Sequence, residues 1–356
     1  VTELFHKTIK QIVPVDEDVR ARAVKFHANL TKPPTSLGYL EVVGEQLSAI
    51  SGQCPPPLPL PARTCVFAGD HGIQAQKVSP WPQTVTEQMG TNIARGGAAI
   101  NVLSRHAGAD VVLYNVGGLT KLPESETCID CRIAPGTKDM TQGPAMSEKE
   151  AYQALEIGIK AAKDAVDAGK KCLIAGELGI ANTTPAAALI RVFTGAGIAE
   201  VTGRGSGADD EMLERKKSVI ATAIAVNGAT KKKPLEALAA IGGFEHAAMA
   251  GLMLGAAAAK VPIIVDGVIA CSAALVAAAI CPEVLGYMIA GHDGEEPGIR
   301  AALDNLGLRA LLKLDLSLGE GSGAAAALPL VTAAAKIMNE MAIFGEESGV
   351  SGEKEN

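Results

Sequence analysis

The chain has 356 residues, of which 48% are hydrophobic, 20% charged and only 3% aromatic. A sizeable interior must therefore be built from Ala, Val, Ile and Leu with glycine at close approaches, as in an α/β enzyme and unlike a disordered chain. The net charge of −7 excludes a broadly basic nucleic-acid surface, since phosphate backbones are held by positive fields.

The first 50 residues read as helices of mixed charge, interrupted by TKPPTSLGYLE at 31–41, where Pro33 and Pro34 stop one helix and Ser36 can cap the next. CPPPLPLPAR at 54–63 reads as an extended connector and a boundary. A pattern then recurs: a short apolar run, a polar or glycine-rich turn and an alanine-rich helix. It begins with CVFAGDHGI at 65–73 and DVVLYNVGG at 110–118. It continues with CLIAGELGIANTTPAAALI at 172–190, PIIVDGVIACSAALVAAAI at 262–280, LGYMIAGHDGEEPG at 285–298 and LKLDLSLGEGSGAAAALPLVTAAAKI at 312–337.

Continuous apolar strands alternating with helices predict a parallel sheet with helices on both faces, a Rossmann-like large α/β domain over 56–337. The chain ends, 1–55 and 338–356, are expected to form a small helical domain. The most apolar stretch, His246 to Cys281, is broken by Lys260, Pro262 and Asp266 into pieces shorter than the roughly 18 residues needed to span a bilayer, so buried helices around a buried strand are expected and no membrane contact. Seven cysteines with no leader-like stretch ahead of them predict a reducing cytoplasm. CIDC, Cys128 to Cys131, has no second pair at zinc-ribbon spacing and reads as two ordinary thiols in a loop. Lys231, Lys232 and Lys233 read as a solvated loop.

In open parallel sheets ligands sit outside the carboxyl ends of the strands. That rule gathers Asp70, His71, Glu177, Asp266, His292 and Glu320 on one rim although they are scattered in sequence. The loops holding Gly203, Gly205 and Gly207, and Gly319, Gly321 and Gly323, can present backbone N–H groups to an anion, but neither completes a dinucleotide or Walker pattern and each also reads as a plain turn. Lys216 can supply a matching charge, or be an exposed helix lysine. In ELGIANTTP at 177–185, Asn182, Thr183 and Thr184 suit a helix cap and Pro185 its first turn, with Glu177 expected to cap. His71 and His292 lack the HExxH spacing of a zinc site, so no catalytic metal is expected. Glu320, among glycines and alanines, has few donors to stabilise its charge, so burial should raise its pKa toward a general base; a carboxylate completing a turn is the equally open alternative.

KPPTSLGYLE, AGDHGI, VSPWPQTVTEQM at 78–89, GPAMS at 143–147, GELGIANTTPAAA, VDGVIACSAALVA and LGEGSGAAAALPL, in this order and across essentially the whole chain, resemble the nicotinate-nucleotide:dimethylbenzimidazole phosphoribosyltransferase family. The resemblance implies transfer of phosphoribose from nicotinate mononucleotide to a cobamide lower-ligand base, a dimer of like or paralogous chains, and no cofactor. It assigns Glu320 as catalytic and Glu177, Leu178, Ser79, Met89 and Leu318 to the acceptor base. To the nucleotide and its phosphate it assigns Gly179, Ile180, Asn182, Gly203, Gly205, Ser206, Lys216, Asp266, Gly267, His292 and Gly321.

Thr35, Gly294 and Ile299 depart from the family pattern, which leaves the acceptor open between a benzimidazole and phenol or p-cresol. A non-catalytic nucleotide-binding partner subunit is the second reading. A dinucleotide oxidoreductase is a third, and it lacks an intact GxGxxG followed by an acidic residue about 20 positions on.

Overall fold

The computed structural model describes residues 2–345 and 348–350, so positions 1, 346–347 and 351–356 of the expected small domain lie outside the described residues. Six strands, β1 (Ala62–Gly69), β2 (Ala109–Gly117), β3 (Cys128–Asp130), β4 (Cys172–Leu178), β5 (Ile263–Val265) and β6 (Met288–Ala290), form one wholly parallel sheet in the order β3-β2-β1-β4-β5-β6. The strand order reverses between β1 and β4, and their carboxyl ends open the crevice in which ligands of such sheets bind.

The helices in chain order are α1 (Glu3–Gln11), α2 (Glu17–Ala28), α3 (Tyr39–Ser51), α4 (Thr84–Ala94), α5 (Ala99–Ala107), α6 (Glu148–Asp167) and α7 (Thr183–Thr194). After them come α8 (Ile198–Val201), α9 (Asp210–Asn227), α10 (Pro234–Ile241), α11 (Phe244–Ala258), α12 (Val268–Ile280), α13 (Gly298–Leu306) and α14 (Ser322–Glu340). Alternation along each strand splits the interior in two. Cys65, Phe67, Leu173, Ala175, Ile263 and Val265 face α6, α7, α11 and α12. Val66, Ala68, Ile174 and Ile264 face α3, α5 and α14. The proline-rich connector delivers the chain directly into β1, with cis bonds before Pro55 and Pro61.

Helices α6 and α11 pack backbone to backbone, because a Cβ at Gly158 would overlap the Ala248 carbonyl and one at Gly251 the Leu155 carbonyl. Overpacking there costs about 1–3 kcal/mol, offset by the roughly 1 kcal/mol that alanine gains over glycine in a helix. Gly251→Ala is therefore expected to lose about 1–2 kcal/mol in a urea unfolding curve; a gain in stability would show that the two helices part freely. No described helix is long and apolar enough to cross a membrane, and α11 and α12 are buried along nearly their whole length.

Three local expectations are corrected. CIDC is not a loop: its first three residues are the edge strand β3, paired with β2 through Leu113 and Cys128, and alternation too short for a sequence signal hid it. Both thiols are free, and burial pushes each pKa upward, Cys131 to about 12. Residues 312–318 are not a strand. β6 ends at Ala290, so beyond the single bridge of Leu312 to His292 no ladder is offered. Asp315, at φ 54°, turns the chain out of the extended form. Ser36 caps nothing: Gly38 precedes α3 without a side-chain cap, and the Leu37 N–H instead donates to Glu41 Oε1 (3.0 Å).

Candidate active site

The cleft at the carboxyl ends of β1, β4, β5 and β6 holds about 1050 Å³ of empty space, its open mouth included. It is lined by Glu177, Leu178, Gly179, Ile180, Asn182, Gly205, Ser206, Lys216, Asp266, Gly267, His292, Leu318, Ser79 and Glu320 of the expected residues. Three others sit outside the lining. Met89 packs against the interior beneath α4, Gly203 offers its carbonyl to Lys216, and the Gly321 N–H donates to Asp266 Oδ2 (3.2 Å).

Glu320 occupies a left-handed turn, φ 64°, between Gly319 (φ 86°) and Gly321 (φ 91°). A non-glycine residue in that region stores strain, which clusters at functional sites. The turn is held from two sides. Asp266, at the end of β5, accepts the Gly321 and Ala324 N–H groups (3.2 and 2.9 Å) and so caps α14, while His292 Nε2 lies 3.4 Å from its Oδ1. Glu177 Oε1 accepts the Glu320 backbone N–H (3.3 Å).

A Cβ on Gly176 would overlap the Glu320 carbonyl, so glycine in β4 is what lets the turn lie against the sheet. The Glu320 side chain is 5% exposed, and its Oε2 has no protein partner. Burial raises its pKa above the usual carboxylate value, with the Ile100 backbone N–H opposing and the Asp266 charge adding to it.

Glu177 does not cap α7. Its Oε2 accepts the Asn182 side-chain amide, and Asn182, helical itself, caps nothing. Burial, then the charges of Asp266 and Glu245, push Glu177 up to about 8, so it is protonated at neutral pH and does not repel an ionised Glu320.

Lys216 is not an exposed helix lysine. It is 1% exposed, and its Nζ donates to the Gly203 carbonyl (2.7 Å) and Thr183 Oγ1 (3.0 Å). Burial lowers its pKa to about 8, with Glu296 opposing. Glu296 Oε1 accepts the Gly205 N–H (2.8 Å) and steadies the glycine loop.

The amino ends of α7 and α12 open on the same cleft through Thr183 and Val268. Their positive poles suit an anion despite the acidic whole. Sequence reasoning passed over Arg204, Glu296, Leu316 and Ser317 and read Thr183 only as a helix cap, yet all of them line the cleft; the arginine inside VTGRGSG was the one visible signal. Gly294 and Ile299, which depart from the family pattern, line it too.

Asp70 and His71 do not join the rim. Asp70 accepts from Thr86 Oγ1 (2.7 Å) and the Leu119 N–H (2.9 Å). His71 Nε2 lies 2.7 Å from Glu245 Oε1, and His246 Nδ1 lies 2.8 Å from the same oxygen. The start of α11 has sunk these groups: a Cβ at Gly69 would meet Glu245 Oε2 at 2.7 Å.

Among the described residues, His71, Glu245 and His246 are the one group whose donor atoms are close enough to hold a metal. Burial opposes both shifts, yet the Glu245 carboxylate raises the His71 pKa and the two histidines hold Glu245 well below the usual range. At 1% exposure or less the trio offers no open position to a substrate.

Comparisons with known proteins agree along nearly the whole chain. A family model described as phosphoribosyltransferase matches residues 12–350. A nicotinate-nucleotide–dimethylbenzimidazole phosphoribosyltransferase from Salinispora tropica is 48% identical, over 98% of this chain and 99% of its own. One from Chloroflexus aggregans is 46% identical, over 99% of each. A crystal structure of the enzyme of that name from Thermus thermophilus superposes with a TM-score of 0.89 at 42% identity, over 94% of this chain and 99% of that one.

Proposed function

The chain belongs to the nicotinate-nucleotide–dimethylbenzimidazole phosphoribosyltransferase family, and on that premise we propose that it moves 5-phosphoribose from nicotinate mononucleotide to a cobamide lower-ligand base with Glu320 as general base. The observation that carries this reading is the buried, partly unpartnered Glu320 carboxylate on a strained turn, facing the cleft that also holds Lys216 and the glycine loop.

The donor's pyridinium makes nicotinate a leaving group that needs no proton. One acceptor nitrogen attacks the anomeric carbon from the face opposite nicotinate, so the β-linked donor gives an α-linked ribotide. The proton on the acceptor's other nitrogen passes to Glu320. A phenol or p-cresol would attack through oxygen and give its proton to the same base. The Glu320 carboxylate also stabilises positive charge developing on the ribose.

Lys216, the 203–206 loop and the amino end of α7 take the 5′-phosphate. Asp266, His292 and Glu177 hold the Glu320 turn, and Ser79, Leu178 and Leu318 bound the acceptor, with Met89 supporting from beneath. The protein works in the cytoplasm, where seven free thiols stay reduced, as a dimer of like or paralogous chains, with 1–55 and 338–356 as its small helical domain. A native mass of one chain in an active preparation would refute the dimer.

Incubation with nicotinate mononucleotide and either 5,6-dimethylbenzimidazole, phenol or p-cresol is expected to release nicotinate and form a ribosylated product. No product with any acceptor, from folded protein with or without a paralogous chain, would refute the assignment and favour a non-catalytic nucleotide-binding subunit.

Turnover should depend on pH through a bell. Glu320 must be ionised to act, so activity climbs through a pKa displaced above the ordinary value near ~4.3. It declines as pH passes about 8, where Lys216 loses the charge that holds phosphate and Glu177 its proton. Lys216→Arg, which stays charged, is expected to move the declining limb upward in a pH–rate profile; an unmoved limb assigns it to Glu177.

A further inference from the structure

We infer that Trp81 is a positioning residue that straps the acceptor-side segment 78–83 to the donor-phosphate loop 203–206, so that filling the donor subsite sets the geometry of the acceptor subsite. The inference rests on the donor and acceptor assignments made above.

Trp81 lies between Pro80 and Pro82, whose rings restrict the backbone on both sides and fix where the indole points. The segment is anchored at its base. Gln74 Nε2 donates to the carbonyls of Ser79 (3.2 Å) and Trp81 (2.9 Å), and Gln83 Nε2 to that of His71 (3.0 Å). At its far side two bonds reach the phosphate-binding elements. The Trp81 indole N–H donates to the Ser206 carbonyl (2.9 Å), and Arg215, which precedes Lys216 in α9, donates through Nη1 to the Lys77 carbonyl (3.0 Å).

Ser79, Pro80 and Ser206 all line the cleft, whereas Trp81 itself does not. The indole is 49% exposed, so its directed bond, more than burial of the ring, accounts for its placement. The loop it grips turns through two left-handed glycines, Gly205 at φ 53° and Gly207 at φ 111°. A phosphate that orders the 203–206 loop also restricts the Ser206 carbonyl that the loop carries. The strap then holds Ser79 and Pro80 in one position for the acceptor. A first ligand that orders what the second must otherwise order gives positive coupling.

Trp81 is the single tryptophan of the chain, so its emission reports this contact directly. Ribose 5-phosphate serves as the donor-subsite probe and 5,6-dimethylbenzimidazole as the acceptor probe. In the wild-type protein, saturating ribose 5-phosphate is expected to shift tryptophan emission and to tighten acceptor binding by about fivefold or more in calorimetry. Trp81→Phe keeps an aromatic ring but has no N–H. It is expected to bind ribose 5-phosphate as the wild type does and to melt at the same temperature. The tightening should be lost, and the acceptor KM should rise while kcat holds. Unchanged emission while calorimetry shows ribose 5-phosphate bound, or the same tightening in Trp81→Phe, overturns the strap. Absence of any ribose 5-phosphate binding overturns the donor-site assignment and the strap with it, and calorimetry tells that failure from the others.

Discussion

Glu320→Gln is expected to lower turnover by roughly 10²-fold or more, the usual contribution of a positioned general base, while nicotinate mononucleotide still binds. The amide matches the carboxylate in size and leaves the turn intact, because that turn is held through backbone N–H groups of residues 320, 321 and 324 on Glu177 and Asp266. What the substitution removes is the proton acceptor and the negative charge. Burial and Asp266 raise the pKa of the native carboxyl, which makes it a stronger base than an exposed carboxylate once ionised. Its Oε2 is engaged by no protein donor and so remains free for the acceptor's proton. A single-turnover rate measured beside a calorimetric donor titration separates chemistry from binding. Unchanged turnover would move the role to Glu177 or to water.

Lys216→Met is expected to lower kcat/KM close to 10²-fold, the scale of losing a hydrogen bond to a charged group at about 1.5–3 kcal/mol. Most of the loss should appear in the KM for nicotinate mononucleotide. The methionine fills a similar volume in a site where the lysine is 1% exposed. Stability should change little, because two effects oppose each other. The depressed Lys216 pKa of about 8 means that holding the ammonium in the folded state costs free energy at neutral pH, and methionine relieves that. It also leaves the Gly203 carbonyl and Thr183 Oγ1 without their donor, which costs a comparable amount. A large fall in melting temperature accompanying the loss of activity would show instead that Lys216 mainly props the glycine loop.

Much of this was legible in local sequence. β4, β5 and β6 each fall within an apolar run marked by composition and turn residues, while β1 begins three residues before its run, at the end of the proline-rich connector, and β2 one residue before its own. β3 escaped because three residues carry too little alternation to register, and 312–318 misled because Leu312, Leu314, Leu316 and Leu318 alternate as a half-buried strand would. Leu314 and Leu318 are instead 56% and 55% exposed. The pattern lacked what no sequence window contains, a neighbouring strand long enough to pair with.

By itself the sequence determined the α/β class, the parallel alternation, the family and the placing of Glu177, Asp266 and His292 at strand ends, since periodicity, turn chemistry and short motifs are local signals; Glu320 joins them from a turn that follows no strand. Only the tertiary structure decided which strand-end groups line the cleft. Asp70 and His71 share the end of β1 with the cleft, yet the start of α11 packs on Gly69 and pairs His71 with Glu245. Lys216, left open in the local sequence between a phosphate partner and an exposed helix lysine, is buried once the 203–207 loop folds over it. The pKa values of Glu177 and Lys216 follow the same logic, because burial and the charges brought near by the fold set them, and neither is written in the neighbouring residues.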